Sequence, residues 1–128
     1  MKAVRILRAG GPDVLAVSEV EPPEPGPAEV AVDVRCAGVN RADVLQRIGR
    51  YPPPAGTRAD IPGLEYAGVV SGVGEGVDPA VVGRRVMGLV PGAAYAERLV
   101  APLDQTLPIP DDLDDVDRNL GKIVLQVS

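Results

Sequence analysis

Histidine, phenylalanine and tryptophan are absent from the 128 residues, and cysteine occurs once, at Cys36. Without histidine the chain lacks the commonest general base and cannot build a Ser-His-Asp arrangement. With one thiol and no imidazole it also lacks the several ligands at fixed spacing that zinc and similar metals need, so no metal site is expected. Chemistry is left to Tyr, Asp, Glu, Asn, Lys and Arg. A lone cysteine excludes an internal disulfide and points to a reducing compartment. No apolar run approaches a membrane span, and Met1-Lys2-Ala3-Val4-Arg5 lacks the apolar core of a signal peptide. The expected location is the cytoplasm, with no membrane partner. Basic residues are outnumbered, 13 against 18 acidic, for a net charge of −5. Nucleic acid is therefore not an expected partner, since phosphate neutralisation needs clustered positive charge. Arg84-Arg85 is the only basic doublet and reads as part of a solvated loop.

What remains for a core is Val, Leu, Ile and Ala, and the β-branched members favour strands. The 14 Pro and 15 Gly interrupt the chain too often for a long helix. A mostly β domain follows. Strands are predicted at Met1–Leu7, Leu15–Val20, Val30–Ala37, Tyr66–Val73, Arg85–Val90, Tyr95–Val100 and Ile123–Val127. Between the second and third lies EPPEPGPA, an extended connector. In Val30–Ala37 the alternation puts Val30, Val32, Val34 and Cys36 on one face and Ala31, Asp33, Arg35 and Ala37 on the other. Asn40 is of the type that opens a helix, Val44, Leu45 and Ile48 share one helical face, and Gly49 ends it. Tyr51 to Ile61 is a proline-rich loop long enough to carry function.

Three segments occur in a fixed order: Gly38-Val39-Asn40-Arg41-Ala42-Asp43, Gly49-Arg50-Tyr51-Pro52-Pro53-Pro54, and Pro62-Gly63-Leu64-Glu65-Tyr66-Ala67-Gly68. Together they resemble the substrate-side block of the zinc-independent medium-chain dehydrogenase/reductases, in the NADPH:quinone oxidoreductase branch. The resemblance covers residues 1 to about 110 and implies a partly open, GroES-like β-barrel with one or two short helices. Zinc-containing relatives place Cys and His where this chain has Asn40 and Leu64. Leu107-Pro108-Ile109-Pro110 resembles the exit from that barrel toward a nucleotide-binding domain. Here five aspartates within Asp111–Asp117 follow instead, and then Arg118–Val127, which looks like the final strand of a full-length enzyme. The organisation implied is a substrate-side domain over 1–113, an acidic join over 114–118 replacing the nucleotide-binding domain, and a C-terminal strand over 119–128. Excision and natural loss would both produce it.

Glycine-bound pyrophosphate needs a strand, a tight glycine turn and a helix N-terminus. Gly72-Val73-Gly74-Glu75-Gly76 is the nearest match, but no helix pattern follows and Glu75 would repel phosphate, so it reads as a β-turn. The resemblance implies NADPH in the intact parent enzyme and a quinone or an activated enone as small-molecule partner, while the lack of a glycine cradle means that no cofactor is expected on this chain. Asn40 can cap the helix, line the cleft toward nicotinamide ribose or substrate carbonyl, or do both. Asp43 suits the first-turn dipole or the cleft. Glu65 suits pairing with an arginine or a place near the site. Tyr51 can pack its ring on the proline loop, or donate its phenol hydrogen bond to the acceptor oxygen. Catalytic roles are expected of Tyr51 and Asn40, with Asp43 and Glu65 completing the cleft; Tyr66 and Tyr95 read as structural strand openers. A different class stays open: a non-enzymatic GroES-like binding or assembly module. A monomer or dimer would favour the enzyme domain, and a large ring the module.

Overall fold

The computed structural model describes residues 1–113 and 123–127. Its strands run β1 Lys2–Ile6, β2 Leu15–Glu19, β3 Glu29–Val39, β4 Glu65–Val73, β5 Arg85–Leu89, β6 Arg98–Pro102, β7 Thr106–Pro108 and β8 Ile123–Gln126, with one α-helix, α1, at Arg41–Arg47. Three single-turn 3-10 segments complete the elements. β1 and β2 form a hairpin, and the larger sheet runs β6-β3-β4-β5-β7, with β8 also on β3. All pairings are antiparallel. The architecture is the mostly β one expected, in two open sheets rather than a closed barrel.

β3 organises the sheet. On one side it pairs with β4 along nearly its whole length. Its other side is shared end to end: β6 takes Glu29–Asp33 and β8 takes Cys36–Val39. Between them, Val34 N–H donates to Glu97 C=O at 2.9 Å, and Val127 N–H donates to Arg35 C=O at 2.7 Å. The ladder against β4 shifts register between Val34 and Cys36, leaving Arg35 as the extra residue. That bulge changes which side chains face inward. Val30, Val32 and Val34 are joined in the main core by Ala37 instead of Cys36, together with Tyr66, Val70, Val86 and Leu99. Strict alternation therefore holds only up to the bulge.

Two further expectations are corrected. The strand expected from Tyr95 begins at Arg98. Its first part lies beside β1 instead, where Val4 N–H donates to Tyr95 C=O at 2.8 Å and Glu97 N–H donates to Lys2 C=O at 3.0 Å. The helix also turns an unexpected face inward. Asp43 and Gln46, three residues apart, are buried, whereas Val44 is exposed. The reason is what the helix packs against: backbone groups of the 59–63 segment that need polar partners. The Gln46 amide donates to Ala59 C=O at 3.0 Å. The end of α1 matches expectation. Gly49, at φ +78, takes the left-handed position, with Gly49 N–H on Gln46 C=O and Arg50 N–H on Leu45 C=O, the two bonds of a Schellman turn.

A polar cluster at the start of the helix

Asp43 is 6% exposed and accepts three hydrogen bonds from three separate parts of the chain. Asn40 N–H donates to Oδ2 at 2.7 Å, which is the carboxylate half of a capping box. Tyr95 Oη donates to the same oxygen at 2.8 Å. Gly63 N–H donates to Oδ1 at 3.2 Å. A carboxylate at the first turn also suits the helix dipole, so one residue fixes the helix start, the 62–65 turn and the 93–96 segment together.

Gly63 is needed there twice over. Its φ of +104 is rarely available to L side chains, and a Cβ would lie 2.5 Å from Tyr95 Cδ1 and 2.8 Å from Tyr95 N. Gly68 serves the bulge: a Cβ on it would collide with Asp33 O, where β3 and β4 approach closely. The two glycines of the Pro62–Gly68 signature are thus architectural.

The four residues singled out in the sequence fall into two places. Asn40, Asp43 and Glu65 gather at the start of α1. Glu65 opens β4, half-buried, opposite Gly38 on β3 and Leu89 on β5. Tyr51 lies past the far end of the helix, exposed, in the loop that follows the Schellman turn. The helix, about 10 Å long at 1.5 Å per residue, stands between the backbone anchors of Asn40 and Tyr51. Asn40 itself is half-buried, with its amide nitrogen 3.5 Å from Gly38 C=O. Tyr95 is the member that sequence reasoning placed only as a strand opener. Burial raises its phenol pKa well above the usual range, and the hydrogen bond to Asp43 and the charges of Asp43 and Glu65 add to that shift. It stays a donor, so it holds Asp43 rather than acting as an acid or base near neutral pH.

The loop between Tyr51 and this cluster is tied down at its far end. Asp60 accepts from Arg5 Nε at 2.6 Å and from Arg58 Nε at 3.1 Å, while Ile6 N–H donates to Asp60 C=O at 2.7 Å. The Arg58 hydrogen bond, with that from Arg5, lowers the Asp60 carboxyl pKa to about 2. A depression of about 490 Å³ lies nearby, lined by Thr57, Arg58, Ile61, Val90 and Leu99 among others, but none of the four singled-out residues borders it.

The glycine run at the end of β4 does not form a dinucleotide cradle. A Cβ on Gly74 would meet Gly26 O, Gly74 N–H donates to Glu29 C=O at 2.9 Å, and a 3-10 turn at Pro79–Val81 follows. Among the described residues no glycine turn leads from a strand into an α-helix, so the groups present do not fit a bound pyrophosphate. Nor do any three His, Cys, Asp or Glu side chains among them converge as for a metal. No described helix is long and apolar enough to cross a membrane.

Residues 26–111 match the alcohol dehydrogenase GroES-like domain. The chain is 39% identical over 114 residues to a quinone oxidoreductase of Pseudomonas aeruginosa, a match covering 88% of this chain and 34% of that protein. It is 35% identical over 126 residues to a 2-haloacrylate reductase of a Burkholderia species, covering 97% and 38% respectively. The solved structure of Escherichia coli quinone oxidoreductase complexed with NADPH superposes with a TM-score of 0.81 at 31% identity, covering 90% of this chain and 35% of that one. The chain thus spans little more than a third of the length of these relatives. With these matches in agreement, the chain belongs to the alcohol dehydrogenase GroES-like domain family, in the medium-chain dehydrogenase/reductase group that includes the quinone oxidoreductases.

Proposed function

We propose that this chain is the substrate-side domain of an oxidoreductase that reduces quinones or activated enones with NADPH, and that it does not turn over by itself. The observation that carries the reading is the Asp43 cluster, which holds Asn40 half-exposed at a fixed point beside Glu65. Similarity to proteins named quinone oxidoreductase and 2-haloacrylate reductase, and to one crystallised with NADPH, supports the substrate class and the cofactor. The cofactor supplies the hydride, and its pyrophosphate is held by a glycine-rich domain that the described residues do not contain. In the domain plan that goes with this reading, residues 1–113 are the substrate side, 114–118, which lie outside the described residues, replace the nucleotide-binding domain, and 119–128 are the C-terminal segment, of which the described part, Ile123–Val127, lies along β3. Asn40 orients the acceptor carbonyl from the start of α1, and Tyr51, from the loop past the far end of that helix, reaches the acceptor oxygen to donate a hydrogen bond as negative charge builds there.

The test has two stages. The chain alone should bind NADPH no tighter than about 1 mM by calorimetry and should not oxidise it when quinone is added. A relative's nucleotide-binding domain inserted between residues 113 and 119 should restore turnover. In that enzyme Tyr51→Phe should lower kcat/KM by about 10- to 100-fold, the loss expected of one transition-state donor. Asn40→Asp should fold normally and lose activity through its added charge. Steady quinone-dependent NADPH oxidation by the chain alone would end the reading. So would a restored enzyme indifferent to both substitutions.

A further inference from the structure

β8 is an edge strand whose outward side can be specified residue by residue. The Val127 N–H on Arg35 C=O fixes the phase of the β3–β8 ladder, and the register pairs Leu125 with Ala37 and Ile123 with Val39. In an antiparallel ladder, hydrogen-bonded and non-hydrogen-bonded pairs alternate. The backbone groups of Ile123 and Leu125 therefore face β3, and those of Val124 and Gln126 face away from it. Among the described residues β3 is the only strand that pairs with β8.

The opposite edge of the sheet is handled differently. β7 ends at Pro108, with Pro110 following, and proline blocks further strand addition. From Ile123 to Val127 there is neither a proline nor a charge. Leu125, on the same face as Ala37, is 40% exposed at the margin of the core.

We propose that this edge pairs with the same edge of a second copy, β8 antiparallel to β8 about a two-fold axis at Leu125, joining the two large sheets into one. Such an interface is self-complementary. Val124 of each copy exchanges both ladder hydrogen bonds with Gln126 of the other, which satisfies the outward groups. At the axis Leu125 meets its symmetry mate in the non-hydrogen-bonded position, where Cα atoms stand about 4.5 Å apart and side chains come closest. The contact covers the exposed part of both leucines. Because the strand carries no charge, nothing repels across the axis itself. The −5 on each chain repels only from the surrounding surface, and salt screens that over about 8 Å at physiological ionic strength. Association should therefore strengthen as salt is raised.

The test is sedimentation equilibrium of the full chain from about 10 μM to about 1 mM, with backbone amide exchange at both ends of that range. The expected result is a mass rising from monomer toward dimer, with the Val124 and Gln126 amides protected only at high concentration. Gln126→Pro removes one outward N–H and should weaken association at least about 10-fold, since proline is tolerated where that side of an edge strand faces solvent. Leu125→Lys, which sets two like charges across the axis, should do the same without constraining the backbone. A chain that stays monomeric throughout overturns the proposal. A dimer that survives both substitutions also overturns it, as does protection of Val124 and Gln126 at every concentration, which would mean that the chain covers this edge itself.

Discussion

Replacing Tyr95 by Phe tests the Asp43 cluster with a single oxygen atom. The hydroxyl donates to Asp43 Oδ2 at 2.8 Å, and Asp43 retains the Asn40 and Gly63 N–H groups when it is gone. A hydrogen bond to a charged acceptor contributes about 1.5–3 kcal/mol. With the remaining two bonds intact, Tyr95→Phe should cost about 2 kcal/mol, or about 5–8 °C in Tm for a domain of this size. Asp43→Ala removes the acceptor for all three and leaves the buried Gly63 N–H without a partner, so about 4 kcal/mol is expected. The double variant should fall short of the sum by about 1.5–3 kcal/mol, the coupling of two groups in direct contact. Urea unfolding followed by far-UV circular dichroism measures all four corners of the cycle. An independent check comes from pH. The phenol pKa is raised in the folded state, so its stabilisation is complete below about pH 10, the unfolded value, and is lost as pH rises toward the folded one. The gap between wild type and Tyr95→Phe should narrow above about pH 10. Coupling below about 0.5 kcal/mol, or a constant gap through alkaline pH, would refute the view that this cluster holds three segments together.

Asp60 gives the acid-side counterpart: its pKa is lowered from 3.8 to about 2, so up to about 2 kcal/mol should be lost between pH 4 and 2 in wild type and not in Asp60→Asn, read from urea midpoints across that range. Gly63→Ala, strained at φ +104 and crowded against Tyr95, should cost about 3 kcal/mol or more. Gly56→Ala, at φ +87 with open space around it, should cost only about 1 kcal/mol, and equal melting shifts for the two would refute the crowding argument. Elemental analysis of the purified chain should find no stoichiometric zinc, because the sequence has no histidine and a single cysteine. One tightly held zinc per chain would contradict this.

What could be read in advance was local. Asn40 and Gly49 marked the ends of α1 within a residue, because caps and left-handed turns leave short-range signatures. The β3 valines were legible until the Arg35 bulge, which depends on how β4 approaches and has no signal in β3 alone. β7 was not predicted as a strand, since Pro108 argues against one except at an edge, where it lies. The inward face of α1 was misread because apolar spacing favoured Val44, whereas the neighbouring backbone required Asp43 and Gln46. Tyr95 stands 52 positions from Asp43, and nothing near either residue announces the contact. The motif glycines were recognisable as a signature, but the collision that makes Gly63 and Gly68 necessary is visible only in three dimensions.

The end-to-end sharing of β3 has a consequence for the order of folding. Loop closure is cheapest for near neighbours in the chain, so β3 and β4 should associate before β6, while β8, the most distant of the three in sequence, closes the longest loop onto β3. The Cys36–Val39 edge therefore waits as a vacant berth while the rest of the sheet forms, and the arrival of β8 is a late, separately reversible event of high contact order. A chain held at that stage would present this berth to any passing strand, so its vulnerability to mispairing lies in the time before β8 docks.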